Sequence, residues 1–282
     1  MSTPKVVIAG CGDVGSRLAI ELQALGWDVQ GLRRNIAALP EGISGIAADL
    51  FAAALPKGWP SGSIDYLVYC ATPSQRDEAG YRQAYVEGLQ HTLSWVRQSG
   101  QQPRRVVFVS STGVYGQQQG EWIDETSATE AERFSGQVLL EAERVALDCG
   151  WPASVVRLAG IYGPGRSDLS GKVREGYRVA IDPPVYANRI HADDAAGLLA
   201  HLLKADAEGV VLQDCYLGVD DEPAALAEVV AWMREYLGVS QWSEQQVLRR
   251  AGSKRCSNAR ARALGWTPRY PDYRAGYAAL LG

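Results

Sequence analysis

Short, continuous runs of apolar residues alternate with segments of helical spacing along the first half of the chain. The runs are rich in valine and isoleucine and lie at Lys5 to Ala9, Asp28 to Leu32, Tyr66 to Ala71, Arg105 to Ser110 and Ser154 to Leu158. Such runs are typical of strands buried on both faces of a sheet. Between them, two sets of residues recur at helical spacing, namely Val14, Leu18, Leu22 and Leu25, and Tyr81, Tyr85, Leu89, Thr92 and Val96. This order predicts an α/β protein with a Rossmann-type, doubly wound parallel sheet.

The pattern loosens after Gly163-Pro164-Gly165, where glycine and proline breaks interrupt it. We therefore predict a dinucleotide-binding Rossmann domain from residues 1–165 and about 190–205, and a smaller C-terminal α/β substrate lobe from residues 166–189 and 206–282. A helix from about Asp194 to Lys204, with Asp193 as its N-cap, is predicted to return the chain to the large domain.

Composition narrows the classes of function. The net charge is -4, whereas a nucleic-acid-binding domain is expected to be basic. The five cysteines are scattered without a C-x-x-C pair, and the three histidines show no metal-ligand spacing. The sequence shows no signal-peptide layout and no apolar run of about 18 residues. We therefore expect a cytoplasmic protein with a small-molecule substrate and no nucleic-acid, membrane or metal partner.

A glycine-rich motif, Gly10-Cys11-Gly12-Asp13-Val14-Gly15, lies between the first strand and the first helix. Glycines at these positions permit a tight turn, close approach of a pyrophosphate and close packing of the helix, whose N-terminus supplies N–H groups and a positive dipole. A purely structural turn is the other interpretation of the glycines. The strand before the motif and the helix and strand after it favour dinucleotide binding by residues 10–15.

Arg33 and Arg34 end the second strand, where NAD-binding proteins usually carry a carboxylate for the ribose 2'-hydroxyl. Arginine at this position suits a 2'-phosphate. We therefore predict NADP(H) as the cofactor, and NAD remains the alternative if the two arginines are only solvated surface residues.

Seven further segments, taken in order, resemble motifs of the short-chain dehydrogenase/reductase superfamily in its extended, epimerase/dehydratase branch. They are Asp49-Leu50, Cys70-Ala71-Thr72, Val86-Glu87-Gly88, Ser110 to Gly116, Arg157 to Pro164, Arg189 to Asp194 and Leu264 to Pro268. The resemblance covers nearly the whole chain, and several ordered motifs are more specific than one glycine loop. It implies a nicotinamide cofactor in the large domain.

The resemblance also implies a set of site residues. Besides the glycine motif and the two arginines, the residues expected to contact the cofactor are Asp49, Leu50, Cys70, Ala71, Thr72, Tyr85, Val109, Ser110, Leu158 and Ile161. Ser111 lies at the family's catalytic Ser/Thr position and Tyr115 follows it, so these two are the catalytic candidates, although Tyr115 also suits packing. Glu125 is predicted to start a helix, because Thr126 and Ser127 lie beside it.

The chain departs from the family at the general acid, which is a tyrosine paired with a lysine four residues later. The five lysines are Lys5, Lys57, Lys172, Lys204 and Lys254, and none follows a tyrosine at that spacing. If Glu143 matches the family's glutamate, the Tyr and Lys positions hold Ser135 and Leu139, which cannot do the same acid-base work. Gly160 and Tyr85 replace two asparagines of the family, which disfavours a nucleotide-sugar substrate.

Two functions remain open. The first is an NAD(P)-binding oxidoreductase of the epimerase/dehydratase type that acts on an unidentified small molecule, and the alternative is a non-catalytic, NADP(H)-sensing regulatory protein. The retained Ser111 segment favours the first, and the missing Tyr-Lys pair favours the second. In the small lobe, several basic residues face either an anionic substrate or solvent, namely Lys172, Arg174, Arg178, Arg189, Lys254 and Arg255.

Assembly is a further expectation from the resemblance. Members of the family often dimerise through the helices that here correspond to residues 81–96 and 128–147. A homodimer is therefore expected, unless the apolar positions of the second stretch only face the sheet; these are Phe134, Val138, Ala142 and Val145.

Overall fold

The computed structural model describes residues 3–166, 168–243 and 253–282 of the chain. The strands, in chain order, are β1 (Lys5–Ala9), β2 (Asp28–Arg33), β3 (Ser44–Ala47), β4 (Tyr66–Tyr69), β5 (Arg105–Ser111), β6 (Glu121–Ile123), β7 (Ala153–Leu158), β8 (Gly160–Tyr162), β9 (Arg189–His191), β10 (Cys215–Gly218) and β11 (Lys254–Cys256). The helices are α1 (Asp13–Ala24), α2 (Glu78–Tyr81), α3 (Gly88–Gln98), α4 (Phe134–Leu147), α5 (Asp168–Arg174), α6 (Ala192–Ala207), α7 (Leu226–Leu237), α8 (Ala259–Ala263) and α9 (Tyr273–Leu281).

A seven-stranded parallel sheet organises the fold, in the order β10-β7-β5-β4-β1-β2-β3. The five apolar runs of the sequence form its five inner strands, which confirms the predicted doubly wound α/β fold. The edge strands β3 and β10 were not predicted. In β3 only Ile46 is buried, so this short edge strand carries no continuous apolar run.

Helix α1 buries the predicted face against the sheet, with Val14, Leu18 and Leu22 all buried. Leu25, the last position of that pattern, is 50% exposed because the helix ends at Ala24. Gly26 then turns the chain with a φ of 79°. The helical spacing therefore predicted the buried face of α1 correctly and placed the end of the helix one residue too late.

A π-helical segment, Arg82–Glu87, joins α2 to α3. Within it, the carbonyl of Ala84 accepts a hydrogen bond from the hydroxyl of Tyr69 on β4. Gly88 follows directly, and a Cβ at this position would overlap that hydroxyl. A side chain from the sheet thus satisfies the backbone where the regular helical pattern is interrupted.

The chain divides into two compact units. The first unit comprises Met1–Val114, Ala131–Arg157 and Ala196–Tyr216, and the second comprises Tyr115–Glu130, Leu158–Ala195 and Leu217–Gly282. The predicted lobes divide the chain differently, by cofactor and substrate roles, and that functional division stays a prediction.

The second unit has its own hydrophobic core and two small parallel sheets, β11-β6 and β8-β9. Its core is formed mainly by Val229, Val230 and Met233 of α7 with the aromatic rings of Tyr162 and Tyr273. These elements are short, which explains why the sequence pattern loosens in this part of the chain.

Helix α6 begins at Ala192, so the predicted N-cap at Asp193 is wrong and this residue lies in the first turn. The neighbouring carboxylate, that of Asp194, makes tertiary hydrogen bonds instead. Asp194 is buried and accepts hydrogen bonds from the amides of Arg269 and Tyr270, at 2.5 and 3.0 Å. None of the helices in the three described ranges is both long enough and apolar enough to cross a membrane.

Candidate cofactor and catalytic site

The glycine motif forms a turn between β1 and α1 in which the three glycines have different surroundings. Gly10 has a φ of 79°, and a Cβ there would lie 2.5 Å from the backbone of Ala71. A Cβ at Gly15 would lie 3.1 Å from Cγ2 of Ile8, because α1 packs closely on β1. Beside Gly12, however, the nearest atom to an added Cβ is the Gly10 carbonyl oxygen at 3.8 Å. Gly12 therefore leaves open space.

The backbone N–H groups at the glycine turn differ in whether they have an acceptor within the protein. The amides of Gly10 and Cys11 both donate to the Leu32 carbonyl, at 3.0 and 2.9 Å, and the Gly12 amide donates to the Gly10 carbonyl at 2.7 Å. The first turn of an α-helix presents backbone amides that have no acceptor within the helix, and at the N-cap of α1 the residue is Gly12, which makes no side-chain cap hydrogen bond. These amides, together with the helix dipole, can attract an anion.

The turn after β1 meets the turn after β4. The Cys70 amide donates to the Ala9 carbonyl at 2.8 Å, and Gly10 lies against Ala71. β1 and β4 are neighbours where the strand order of the sheet reverses, and in open α/β sheets the crevice at such a point binds ligands. Two predicted segments that are far apart in sequence are therefore adjacent here, with Thr72 exposed beside them.

The two arginines after β2 differ in their surroundings. Arg33 is half-buried and its Nη1 donates to the Ala38 carbonyl at 2.9 Å, whereas Arg34 is exposed. Arg33 is paired in register with Ala47 of β3. The exposed Asp49 follows that strand, and its carboxylate accepts from the Phe51 amide at 3.1 Å. The predicted 2'-phosphate and adenine residues thus follow neighbouring strands of the sheet.

Tyr85 lies in the π-helical segment between Tyr81 and Phe108, with ring centroids 5.5 and 6.3 Å away. Burial, reinforced by Tyr81 and Cys70, raises the pKa of the Tyr85 hydroxyl. The hydroxyl is therefore neutral at physiological pH and can donate a hydrogen bond. Leu50 is packed near the same helix, because a Cβ at Gly88 would lie 3.4 Å from the Leu50 Cβ.

Ser110, near the end of β5, belongs to a buried polar network. Its hydroxyl donates to Glu143 at 2.6 Å, and the same carboxylate accepts from Arg157 at 3.0 and 2.7 Å. Glu143 and Arg157 are 4% and 8% exposed. A paired charge at this depth fixes β5 to α4 and β7. The sequence predicts a cofactor contact for Ser110, but its hydroxyl hydrogen is used within the protein. The preceding residue, Val109, is half-buried.

Ser111 is better placed for chemistry than Ser110. It is partly exposed at the carboxyl end of β5, and its Oγ accepts from the Gly113 amide at 3.1 Å. A hydroxyl oxygen that accepts one hydrogen bond can still donate its own hydrogen. On α4, Ser135 is half-buried and Leu139 is 4% exposed. Neither of these two residues supplies the acid-base pair of the family.

In the second unit, two predicted residues have structural partners. Tyr115 is 3% exposed and its hydroxyl donates to the Asp124 carbonyl at 2.9 Å, which supports its packing role. The prediction that Glu125 starts a helix is wrong. Its carboxylate accepts from the Leu217 amide at 2.9 Å and lies 3.6 Å from Nε of Arg260. These distant partners, which bury the carboxylate, override the local pattern.

The remaining predicted cofactor residues also lie in the second unit. Leu158 is 2% exposed, and Ile161 of β8 lines a cavity of this unit. Sequence reasoning missed Tyr162 and Asp220, which form with Arg189 a buried polar cluster beside that cavity. Asp220 precedes Asp221 and Glu222, a run that is typical of an exposed acidic turn, so the sequence held no signal for its burial.

Comparison with known proteins agrees with this geometry. A model of the NAD dependent epimerase/dehydratase family matches residues 6–212. The chain belongs to this family. The match includes the glycine turn, the segment of Ser111 and most of the parallel sheet, and it confirms the superfamily indicated by the motifs.

Relatives of this family member match along its whole length. Protein YeeZ of Escherichia coli K12 is 30% identical over 281 residues, which cover 95% of this chain and 97% of that protein. A Methylobacillus flagellatus structure, named as an NAD-dependent epimerase/dehydratase, is 35% identical with a TM-score of 0.81, covering 99% and 98% of the two chains. MoeE5, solved with UDP-glucose and NAD, is 26% identical with a TM-score of 0.79, covering 98% and 96%.

Proposed function

We propose that this protein is a cytoplasmic oxidoreductase of the epimerase/dehydratase type that binds NADP(H) at the glycine turn and acts on a small molecule. The observation that carries the proposal is the open space at Gly12, directly before the uncapped first turn of α1. A glycine required only for folding is expected to contact protein atoms closely, as Gly10 and Gly15 do, or to take a positive φ. Gly12 has neither a close contact nor a positive φ, since its φ is -87°. An open glycine fits a ligand that approaches the backbone closely.

The residues present fit a dinucleotide. The amides of Asp13 and Val14 suit the pyrophosphate, and the exposed Asp49 suits the adenosine end. When bound, the nicotinamide supplies or accepts a hydride. Ser111 donates a hydrogen bond to the substrate oxygen whose charge changes, and this donor takes over part of the stabilisation that the absent Tyr-Lys pair gives in the family.

The choice of NADP(H) over NAD(H) rests on Arg33 and Arg34. A guanidinium group binds a phosphate bidentately, whereas a 2'-hydroxyl calls for a carboxylate. MoeE5 was solved with NAD, so the proposal departs from that relative. Arg34 is the exposed member of the pair, and Arg33 already donates to Ala38. We therefore assign the larger share of 2'-phosphate binding to Arg34.

Calorimetry with both cofactors tests this assignment. We expect NADP(H) to bind about tenfold or more tightly than NAD(H), since a charge-assisted hydrogen bond contributes about 1.5–3 kcal/mol. Arg34→Ala should remove most of that preference and Arg33→Ala a smaller part. Gly12→Val should abolish binding of both cofactors in a folded protein, and the exposed Arg104→Ala serves as the matched control. Equal affinities in the wild type would refute the NADP(H) preference.

The role of Ser111 is tested by comparing Ser111→Ala with the wild type on a substrate that is turned over. Loss of one donor from a desolvated site should lower kcat by about 100-fold and leave cofactor affinity unchanged. Ser110→Ala is the matched neighbour: its hydroxyl stabilises Glu143, so its loss should lower stability first. An unchanged kcat in Ser111→Ala would show that Ser111 has no catalytic role.

The second candidate function is an NADP(H)-sensing regulator without turnover. The specific observation that favours it is the pair Ser135 and Leu139, which offers no general acid on α4. Such a protein would bind NADPH and NADP+ with different affinities and would release no reduced or oxidised product. Sustained turnover of any carbonyl or hydroxyl compound, lost in Gly12→Val, would exclude this alternative.

A further inference from the structure

The first unit contains a cavity of about 390 Å³, open to solvent, at the amino ends of β1 and β2. The glycine turn and Arg34 follow the carboxyl ends of the same two strands, so the cavity lies at the opposite edge of the sheet from the proposed cofactor site. We call it the Gln30 cavity. The charged and polar side chains of its lining are Lys5, Asp28, Gln30, Lys57, Ser61 and Ser63.

The connection between β3 and β4 explains why this cavity exists. Parallel strands are usually joined by a helix that covers one face of the sheet. Residues 48–65, which make this connection, form no helix. The coil lies against the sheet at Gly58, where a Cβ would be 3.7 Å from Cγ2 of Ile46 on β3. It therefore covers Ile46 but leaves Gln30 of β2 on the wall of an open cavity.

A buried glutamine from outside the cavity holds the coil in place. Gln101 is 4% exposed, and its Nε2 donates to the carbonyls of Pro60 and Gly62 at 2.8 and 2.6 Å. Its Oε1 accepts from Nε1 of Trp59 at 2.9 Å. These hydrogen bonds fix the segment from Trp59 to Gly62 beside the cavity, so the cavity is a preformed feature of the fold.

Gln30 differs from Gln101 because its amide is incompletely satisfied. Its Oε1 is buried and has no hydrogen-bond partner among the described residues. Gln30 lies between the buried residues Val29 and Gly31, in an inner strand where an apolar side chain is expected. A buried amide oxygen without a donor costs stability, so its presence in the cavity wall favours a ligand that uses this amide.

Two opposite charges lie nearer the amino ends of the strands than this amide. Lys5 and Asp28 are paired in register on neighbouring strands, about 4.8 Å apart, and their side chains lie on the same face. Nζ of Lys5 extends toward the coil, since a Cβ at Gly62 would lie 3.8 Å from it. Gln30 follows on the same face, two residues or about 6.6 Å along β2. This order complements a ligand with both charges at one end and a polar group at the other.

We propose that the Gln30 cavity binds an α-amino acid with a polar side chain. Asp28 accepts hydrogen bonds from the ammonium group, and Lys5 binds the carboxylate, with the exposed Lys57 adding a second positive charge at the rim. The amide of Gln30, which offers both an acceptor and donors, binds the polar side chain. The inference is independent of the proposed function, because the binding step requires neither cofactor nor turnover.

Ligand-observed NMR titration of the full chain without cofactor tests the proposal, with L-serine as the probe. Three compounds each lack one of its groups: glycolate lacks the ammonium group, ethanolamine lacks the carboxylate, and glycine lacks the hydroxyl. We expect glycolate and ethanolamine to bind about tenfold or more weakly than serine, since each loses a charge-assisted hydrogen bond. Glycine should lose a smaller factor, because its missing group is uncharged.

Variants of the three binding residues assign these contacts. Asp28→Asn and Lys5→Met should each weaken serine binding about tenfold or more. Gln30→Leu should weaken serine binding to the level of glycine. It should also leave the midpoint of urea denaturation unchanged or raised, because it removes the unpartnered oxygen. Gln98→Leu is the matched control, since this exposed glutamine of α3 lies outside the cavity lining.

The proposal is overturned if serine does not bind, if glycolate or ethanolamine binds as tightly as serine, or if all three cavity variants bind serine like the control. Unchanged serine binding with a lower midpoint in Gln30→Leu would show that the amide has only a structural role. If Gln30→Leu does not fold, as judged by circular dichroism, Lys5→Met and Asp28→Asn decide, because both side chains are exposed.

Discussion

Two buried tyrosines, one in each unit, press their hydroxyl groups against a helical glycine, and they differ in one respect. Tyr69 in the first unit donates to the Ala84 carbonyl, whereas Tyr162 in the second unit has no partner among the described residues. Their glycines, Gly88 and Gly276, are needed for the same reason, since a Cβ would overlap the hydroxyl. The packing is equivalent, but of the two hydroxyl groups only that of Tyr69 has a hydrogen-bond partner among the described residues.

The same contrast holds for the two buried carboxylates. Glu143 in the first unit is 4% exposed and is paired with Arg157 and Ser110. Asp220 in the second unit is 2% exposed, and neither oxygen has a hydrogen bond of ordinary geometry within the described chain, although the Glu222 backbone acts to lower its pKa. The first unit therefore pairs this carboxylate with its own residues, although Oε1 of Gln30 is buried in the same unit without a partner among the described residues. The second unit keeps polar groups unsatisfied, as expected of a site that a ligand completes.

Amide substitutions of the two carboxylates should have opposite effects on stability. Glu143→Gln breaks a buried ion pair and should cost about 3–5 kcal/mol of unfolding free energy. Asp220→Asn removes a carboxyl that is neutral when folded and ionised when unfolded, and should stabilise the protein by up to about 4 kcal/mol at pH 7. Urea denaturation of both variants and the wild type at a series of pH values measures these changes.

The sign of the pH dependence follows from the raised pKa of Asp220. The folded state holds its proton up to a pKa of about 8, whereas the model value is 3.8, so wild-type stability should fall as pH rises between these values. The groups that act on this carboxyl are Arg189, Asp221, Glu222, Tyr162 and Cys256. Asp220→Asn should flatten the profile over that range. Equal slopes in wild type and variant would show that Asp220 is not protonated in the folded protein.

The sequence predicted the first unit better than the second, and the reason is physical. Inner strands and a glycine turn are specified by local patterns, namely continuous apolar runs and glycines between a strand and a helix. These patterns located β1, α1 and the residues around Gly12. In contrast, the roles of Ser110 and Ser111 depend on which face of β5 each side chain takes and on what packs there. The sequence alone could not give the partner of Ser110, because Glu143 is 33 residues away.

In the second unit, tertiary contacts determine the positions of residues that local sequence patterns predict wrongly. Glu125 carries helix-start neighbours, yet Leu217 and Arg260 determine its position. Asp220 resembles a residue of an exposed acidic turn and is buried. Long-range packing determines the positions of these two residues. They lie in or beside short elements, which span too few residues to show a helical or strand periodicity.

The tyrosine pair gives the smallest and most direct test of the contrast between the units. Tyr69→Phe removes a buried donor and leaves the Ala84 carbonyl without the hydroxyl that donates to it, so it should destabilise the protein by about 1–3 kcal/mol. Tyr162→Phe removes a buried hydroxyl that has no hydrogen-bond partner among the described residues. The variant should therefore be as stable as the wild type or more stable by about 1 kcal/mol. The volume change and the adjacent glycine are the same in both variants, so the difference in unfolding free energy isolates the hydrogen bond. A comparable loss of stability in both variants would mean that the Tyr162 hydroxyl has a hydrogen-bond partner in solution, and the contrast between the two tyrosines would then be wrong.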